Sequence, residues 1–367
     1  MSAAAALSTR GPVLVVGAGL VGTSIGLSLA TRGVEVLLSD SSPTTLALAQ
    51  EVGAGRAVTP QDVPALVVVS APPDVCARLV VEQLAAYPGA IVTDVASVKA
   101  NIARSVLSAV EDASRYVGSH PMAGSERSGP TAARADLFVG RPWVIAATER
   151  SAPAAVRAVR DLAVDLGATP VEMDATGHDD AVALVSHMPQ IVASLVAARL
   201  RDAPEAALAL SGQGLRDVTR IAASDPQLWA AILGANATQV RGVLAAVRGD
   251  LDVVLAGFDR VVDGGDHGGL AKVAQAIEAG NAGVARIPGK HGGAHREYAV
   301  VAVLVPDAPG ELARLLADVG RADVNLEDLR MEHVAGHPVG LAELSVLPKA
   351  REQLEAALDA AGWKVAG

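Results

Sequence analysis

The chain has 367 residues, enough for two or three domains. Hydrophobic residues make up 51% of it and charged residues 19%, which excludes a largely disordered chain. The formal net charge of −10 argues against a nucleic-acid binder, while a few local Arg or Lys would still hold a small anionic substrate.

Aromatics are 2%, so the core must be built from Ala, Val and Leu. The one cysteine, Cys76, rules out an intrachain disulfide framework and reads as a small core residue. Residues 1–12 are Ala-rich without a basic start and long apolar run, so we expect a loose tail there and not a signal peptide. Residues 11–31 carry no charge and are long enough to span a bilayer. Yet Gly17, Gly19, Gly22 and Gly26 interrupt them, and a strand, a glycine turn and a helix fit better. No other stretch reads as a span, so a soluble cytoplasmic protein is expected, with neither membrane nor nucleic acid as partner.

Residues 13–16 read as a buried parallel strand. The turn Gly17-Ala18-Gly19-Leu20-Val21-Gly22 follows, then a helix to about residue 31 closed by Gly33. In such a unit Gly17 permits the tight turn, Gly19 lets backbone approach a pyrophosphate, and Gly22 lets helix pack on strand. The helix N-terminus at Leu20 then offers free N–H groups and positive dipole to the phosphates. A second strand over residues 34–38 ends at Asp40, whose carboxylate can bind a ribose 2′-OH and repel a 2′-phosphate. That favours NAD over NADP. With strand, helix and acid all in place, a tight turn without a ligand is the weaker reading.

The βα rhythm continues with strands over 65–70 and 90–94 and helices over 75–86 and up to about 112. Ala71 and Pro72 lie in the loop after the first of these strands, where ligands sit in open α/β sheets. Ser97 stands after the second, either as an N-cap or as a functional group. A short strand over 116–119 delivers His120-Pro121-Met122-Ala123-Gly124-Ser125-Glu126, a stretch with no helix or strand period. His120 is a candidate for proton chemistry, since its unperturbed pKa lies near neutrality; the bland alternative is a turn histidine filling a hydrogen bond. Strands over 142–147 and 169–173, with a helix over 153–166 between them, end the first domain near residue 174.

From residue 175 the pattern becomes long and apolar. Thr176-Gly177-His178-Asp179 resembles a capping box, and a helix runs through 182–200 with Pro189 as a kink. On a straight helix His178 and His187 would lie on opposite faces, while His187 and Gln190 would share one. The bland reading of a histidine in so apolar a helix is a satisfied core residue. Arg216 and Arg220, near Gly212 and Gly214, suit an anion-binding turn, or else a solvated helix start paired with Asp217 or Asp225. Residues 228–261 read as one or two long helices whose excess apolar surface predicts a homodimer interface. A glycine-rich linker covers 280–294. The pairs His291/His295 and His333/His337 have metal-like spacing but sit in glycine-containing stretches without cysteine, so no metal is expected. Residues 297–367 read strand, helix, strand, strand, helix, strand, the ferredoxin-like order.

Several blocks together resemble the prephenate/arogenate dehydrogenase family with a C-terminal ACT domain. They are Gly17-x-Gly19-Leu20-x-Gly22, Asp94-Val95-x-Ser97-Val98-Lys99, the His120–Glu126 stretch, Ser186-His187-Met188-Pro189 and Thr219-Arg220-Ile221-Ala222-x-Ser224-Asp225-Pro226-x-Leu228-Trp229. The resemblance implies a Rossmann domain (1–174), a helical substrate and dimerisation domain (175–285), a linker (286–296) and an ACT domain (297–367). It implies NAD-linked oxidative decarboxylation of prephenate, or of arogenate. His120 would take the hydroxyl proton, Ser97 would orient that hydroxyl, and Arg220 would bind the ring carboxylate. Glu126, His187, Gln190 and Ser224 would line the pocket; some relatives carry histidine where Gln190 stands. An uncharged Ser224 leans towards prephenate, because arogenate's ammonium group would favour an acid there. Pro306-Asp307-x-Pro309-Gly310-Glu311-Leu312 resembles the helix start of ACT domains, so Asp307, Gly310, Glu311 and Leu312 are the candidate regulatory residues for an amino-acid effector such as tyrosine.

Two other classes compete. A β-hydroxyacid dehydrogenase would be expected to use a lysine base in the helical domain, and Lys272 alone is there, far from the motif blocks. A non-catalytic sensor of dinucleotide and amino acid would not need His120, Ser97 and Arg220 together.

Overall fold

The computed structural model describes residues 7–124, 129–264, 267–288, 297–333 and 338–366. The chain divides into two compact units, Met1–Val247 and Arg248–Gly367. The division falls inside the helix Ala237–Gly264. The first helices after the sheet cluster with the sheet itself.

The first unit is built on an eight-stranded sheet. Its strands are β1 (Val13–Val16), β2 (Val36–Ser39), β3 (Arg56–Ala57), β4 (Leu66–Val69), β5 (Ile91–Asp94), β6 (Tyr116–Pro121), β7 (Pro142–Ala146) and β8 (Thr169–Glu172). The order is β3-β2-β1-β4-β5-β6-β7-β8. The first six follow the dinucleotide-binding order, with the crossover between β1 and β4 marking the edge where ligands bind. β7 runs antiparallel to β6, and β8 parallel to β7. Strands β1 and β4 are buried along their whole length, as continuous runs of Val and Leu require in a sheet covered on both faces. One face packs on the helices Leu20–Ala30 and Pro153–Asp165, the other on Pro73–Ala86 and Ala100–Ala109.

The sequence reading omitted the helix Pro43–Glu51 and strand β3. Ser42 caps that helix and Pro43 opens it, a recognisable start signal. The expected loop at His120 is also corrected. Strand β6 continues through Pro121, because pairing with β7 sets His120 opposite Val144.

Beyond β8, the helix Ala175–Val182 is capped by Asp174, whose carboxylate accepts from the Gly177 N–H. The expected capping box at Thr176 therefore does not form; the cap lies two residues earlier. A π-turn, Ala183–His187, interrupts the run before the helix Met188–Leu200. Pro189 has no N–H for the ordinary ladder, and a π-turn is one way to absorb that loss. The wider turn also shifts the register, so His178 and His187 are both buried, contrary to the straight-helix expectation. The run Ala175–Leu200 is 26 residues with mean hydropathy 1.7, long and apolar enough to cross a membrane. It therefore qualifies where the sequence reading saw no second stretch. Its inward side nevertheless carries His178, Asp179, His187 and Gln190.

In the second unit the helices Ala237–Gly264 and His267–Val284 pack where Gly257 and Gly269 meet. A Cβ on Gly269 would stand 2.3 Å from the Gly257 carbonyl oxygen, so the crossing needs glycine. The helix reaches Val284, into the stretch expected to be a glycine-rich linker. From residue 289 that stretch lies outside the described residues, as do His291, His295 and His337. Strands β9 (Ala299–Pro306), β10 (Asp328–His333), β11 (Val339–Val346) and β12 (Lys364–Ala366) form an antiparallel sheet in the order β10-β11-β9-β12. With helices Glu311–Arg321 and Arg351–Ala360 on one face, this is the ferredoxin-like arrangement expected. Trp363 anchors it, donating to Asp318 at 2.8 Å and stacking under Arg314.

Candidate active site

Register places the site. Val16 of β1 pairs with Val69 of β4, Val69 with Asp94 of β5, and Asp94 with Gly118 of β6. The residues that follow, at Gly17, Ser70, Val95 and Ser119, thus share one carboxyl edge.

At this edge the glycine turn has the form a pyrophosphate needs. Gly17 has φ +98°, and a Cβ there would meet the Ser70 carbonyl oxygen at 2.1 Å. A Cβ on Gly22 would meet the Gly17 carbonyl oxygen at 2.0 Å, so helix and strand touch through it. A Cβ on Gly19 would meet nothing within 4 Å, which is the open approach a phosphate requires. No side chain caps the helix start at Gly19 and Leu20, leaving its dipole to a ligand. Asp40 follows β2 and reaches back, accepting from the Ala18 N–H at 2.7 Å and the Ser42 N–H at 2.8 Å. The loop of Ala71 and Pro72 follows β4, with Pro72 at the N-cap of the next helix. These residues fit a dinucleotide.

Under the edge lies a buried polar knot. Lys99 and Asp94 form an ion pair at 1% and 0% side-chain exposure. Lys99 Nζ also donates to the Ser119 carbonyl at 2.7 Å. Tyr116 donates to Asp94 at 2.8 Å, and burial with the nearby Asp94 pushes its phenol well above the usual range, so it remains a donor. The Ser119 hydroxyl donates to the Asp94 carbonyl at 2.9 Å. The knot fixes the residue immediately before His120.

His120 itself is half-buried. Burial, then His178, Lys99 and His187, push its pKa well below the usual histidine range, so the ring is neutral at pH 7. Its Nδ1 lies 2.9 Å from His178 Nε2, and His178 Nδ1 lies 2.8 Å from Asp179 Oδ1. Asp179 also accepts from the backbone N–H groups of Lys99 (2.8 Å) and Ala100 (2.9 Å), 80 and 79 residues away. It thereby caps the helix Ala100–Ala109. The alternative of Ser97 as that cap is set aside: Lys99 holds the cap position and Ser97 stands half-buried in the preceding loop.

Asn236 Nδ2 donates to His187 Nδ1 at 3.3 Å and to the Asp179 carbonyl at 2.8 Å. Since an amide N–H is a donor, His187 Nδ1 is the acceptor. Burial lowers the His187 pKa, Asp179 raises it and His178 lowers it, with a net fall. Trp229 packs edge-on against its ring at 6.1 Å. Gln190 donates to Ser224 at 2.8 Å, joining the helix Met188–Leu200 to the turn after Arg220–Ala222. Arg220 is exposed and opens that turn. Glu126 lies outside the described residues. Among the described residues no cluster of His, Cys, Asp or Glu could hold a metal ion.

A sequence model described as the nucleotide-binding domain of prephenate dehydrogenase matches residues 25–172. A second, described as its dimerization domain, matches residues 174–257. The protein "Probable prephenate dehydrogenase NovF" of Streptomyces niveus is 37% identical over 347 residues, covering 93% of this chain and 95% of its own. The chain belongs to the prephenate dehydrogenase family. Among solved structures, prephenate dehydrogenase from A. aeolicus in complex with hydroxyphenyl propionate and NAD+ matches with a TM-score of 0.65 and 25% identity. The match covers 76% of this chain and 99% of that one. Synechocystis arogenate dehydrogenase matches with a TM-score of 0.60 and 26% identity, covering 74% and 99%. The family models end at residue 257, so most of the second unit stands outside them.

The sequence reading of this family member missed His178, Asp179, Lys99 and Asn236 as site residues. One of them, Lys99, carried a signal together with its partner Asp94. Asp94 and Lys99 are charges beside a strand otherwise buried, which are rarely tolerated unpaired.

Proposed function

We propose that this chain is an NAD-dependent prephenate dehydrogenase in which His120 is the proton acceptor. The observation that carries the reading is His120 on the carboxyl edge of the sheet, its pKa lowered chiefly by burial, beside a glycine turn shaped for a dinucleotide. When bound, NAD supplies the hydride acceptor. The substrate is a cyclohexadienol with a carboxylate on its ring. His120 takes the hydroxyl proton as hydride leaves the same carbon, giving a ketone. The ring carboxylate then leaves as CO2, its bonding electrons aromatise the ring, and the oxygen recovers the proton from His120. Ser97 orients the hydroxyl, and Arg220 holds the ring carboxylate until it departs. His187, Gln190 and Ser224 line the remaining wall. Aromatisation drives the step, so the protein mainly positions groups and excludes water.

Asp40 favours NAD over NADP, because its carboxylate would repel a 2′-phosphate. Gln190 and Ser224 satisfy each other without an ionised group. That favours prephenate over arogenate, whose ammonium group would be left without a carboxylate partner. The Synechocystis relative, named an arogenate dehydrogenase, keeps arogenate as the second reading. The test is the rise of reduced-nicotinamide absorbance with each cofactor and each substrate separately. NAD with prephenate is expected to give the highest kcat/KM. No turnover with any pair overturns the reading in favour of the sensor.

The chain acts as a homodimer. Leu251, Leu255, Phe258, Val262, Leu270 and Ile277 are 46–83% exposed on the helices Ala237–Gly264 and His267–Val284, more apolar surface than a monomer ordinarily shows. A mass of twice 37.0 kDa in solution is expected, and a monomeric mass would overturn this. The ferredoxin-like unit is read as an ACT domain. Its effector, an amino acid such as tyrosine, is placed at Asp307, Gly310, Glu311 and Leu312, where Gly310 takes φ +92° to start the helix.

A further inference from the structure

We propose that His178 and Asp179 are positioning residues that hold His120 in one tautomer, its Nδ1 protonated and its Nε2 bare towards the substrate. This rests on the reading of His120 as the proton acceptor.

The argument runs from the carboxylate outward. Asp179 is 3% exposed and is met by three donors: the backbone N–H groups of Lys99 and Ala100, and His178 Nδ1. Burial pushes its carboxyl up, but the bonds from His178, Ala100 and Lys99 outweigh burial and hold it below the usual range. An ionised carboxylate can only accept, so His178 Nδ1 carries a proton. In a neutral His178 the other nitrogen, Nε2, is then bare. It lies 2.9 Å from His120 Nδ1, with the rings 77° apart, and one of the two nitrogens must donate. With Nε2 of His178 bare, His120 Nδ1 is the donor. A neutral His120 then has its lone pair on Nε2, the nitrogen not engaged by His178.

This matters because a neutral imidazole with its proton on Nε2 cannot take another there. Free imidazole samples both tautomers, and an enzyme that needs one must fix it through the opposite nitrogen. The same chain serves the loaded state. When His120 gains the substrate proton, its Nδ1–H still points at an acceptor backed by an anionic group. The groups facing His120 are His178, Lys99 and His187; Lys99 is already paired with Asp94, and His187 is turned towards Asn236. His178, at 1% exposure and 2.9 Å from His120 Nδ1, is therefore the group that orients the ring.

The chain also explains why a helix distant in sequence is tied to the β5–β6 edge at this point. The carboxylate that orients His178 is the one that caps Ala100–Ala109, so the relay is set by the backbone and not by a mobile side chain alone.

The experiment uses the full chain. 15N chemical shifts of the His120 ring in the wild-type protein are expected to show a protonated Nδ1 and a bare Nε2. A bare Nδ1 with protonated Nε2 overturns the proposal whatever the activity. His178→Leu is expected to lower kcat about 10²-fold, with KM and NAD affinity within about threefold, as for loss of a group that orients a base. His178→Gln places an acceptor near the Nε2 position and is expected to recover at least tenfold of that loss. A folded His178→Leu with wild-type kcat overturns the proposal, as does a His178→Gln no better than His178→Leu. The parent reading fails separately, through an active His120→Asn enzyme.

Discussion

His120→Asn is expected to lower kcat by about 10²–10⁴-fold, the range for removing a general base, while NAD affinity stays within a few-fold. Asparagine keeps a polar side chain of similar reach but has no basic nitrogen. The glycine turn and Asp40, which would hold the dinucleotide, are made from other elements. Steady-state rates with prephenate and a direct titration of NAD check both halves. A kcat unchanged by the substitution would mean that another group takes the proton. The pH dependence has a definite sign. Burial, His178, Lys99 and His187 all depress the His120 pKa, so the ring is in its working form at neutral pH. The rate is lost as pH falls through that depressed value, and the acid limb of kcat/KM is expected below the ordinary histidine range. A limb at or above about 6.5 would belong to a different group.

Lys99→Met is expected to have the largest effect on stability. The substitution removes the cation and leaves Asp94, 0% exposed, with only neutral donors such as the Tyr116 hydroxyl and the Ala96 N–H. Breaking one side of a buried pair costs about 3–5 kcal/mol, because an uncompensated charge stays in a low-dielectric interior. Urea denaturation of the variant against the wild type measures this. The double variant Lys99→Met with Asp94→Asn is expected to regain a substantial part, since the charge itself is then gone. A single variant within about 1 kcal/mol of the wild type would mean that water or another group reaches Asp94. Activity should fall as well, because Lys99 holds the Ser119 carbonyl one residue before the base.

The parts of this molecule that a sequence shows are those governed by short-range rules. The β1 strand, the turn at Gly17 to Gly22 and the closing Gly33 follow from sterics and periodicity within some twenty residues, and the structure keeps them. The ferredoxin-like order after residue 297 was legible for the same reason. Strand β6 was cut short at residue 119 because what extends it is a neighbour in the sheet, β7, joined by a loop of about twenty residues. The relation of His178 to His187 was misjudged because a π-turn shifts the helical register, and nothing but Pro189 marks it in the sequence. The most consequential omission, His178 with Asp179, was read as a local helix start. Their partners are Lys99, Ala100 and His120, some 60 to 80 residues away, and no local pattern encodes that pairing.

That pairing constrains how the protein can breathe. Asp179 is bonded at once to the sheet's flanking helix and to the imidazole behind His120. Any motion that widens the cleft by drawing residues 175–182 away from that helix must strip its first backbone donors of their acceptor, at a cost of about 0.5–2 kcal/mol for a lost cap. The segment is therefore bound to travel with the nucleotide half, and the π-turn Ala183–His187 just beyond it is where the run departs from the ordinary helical ladder. Movement beyond that turn leaves the bonds joining Asp179, His178 and His120 intact.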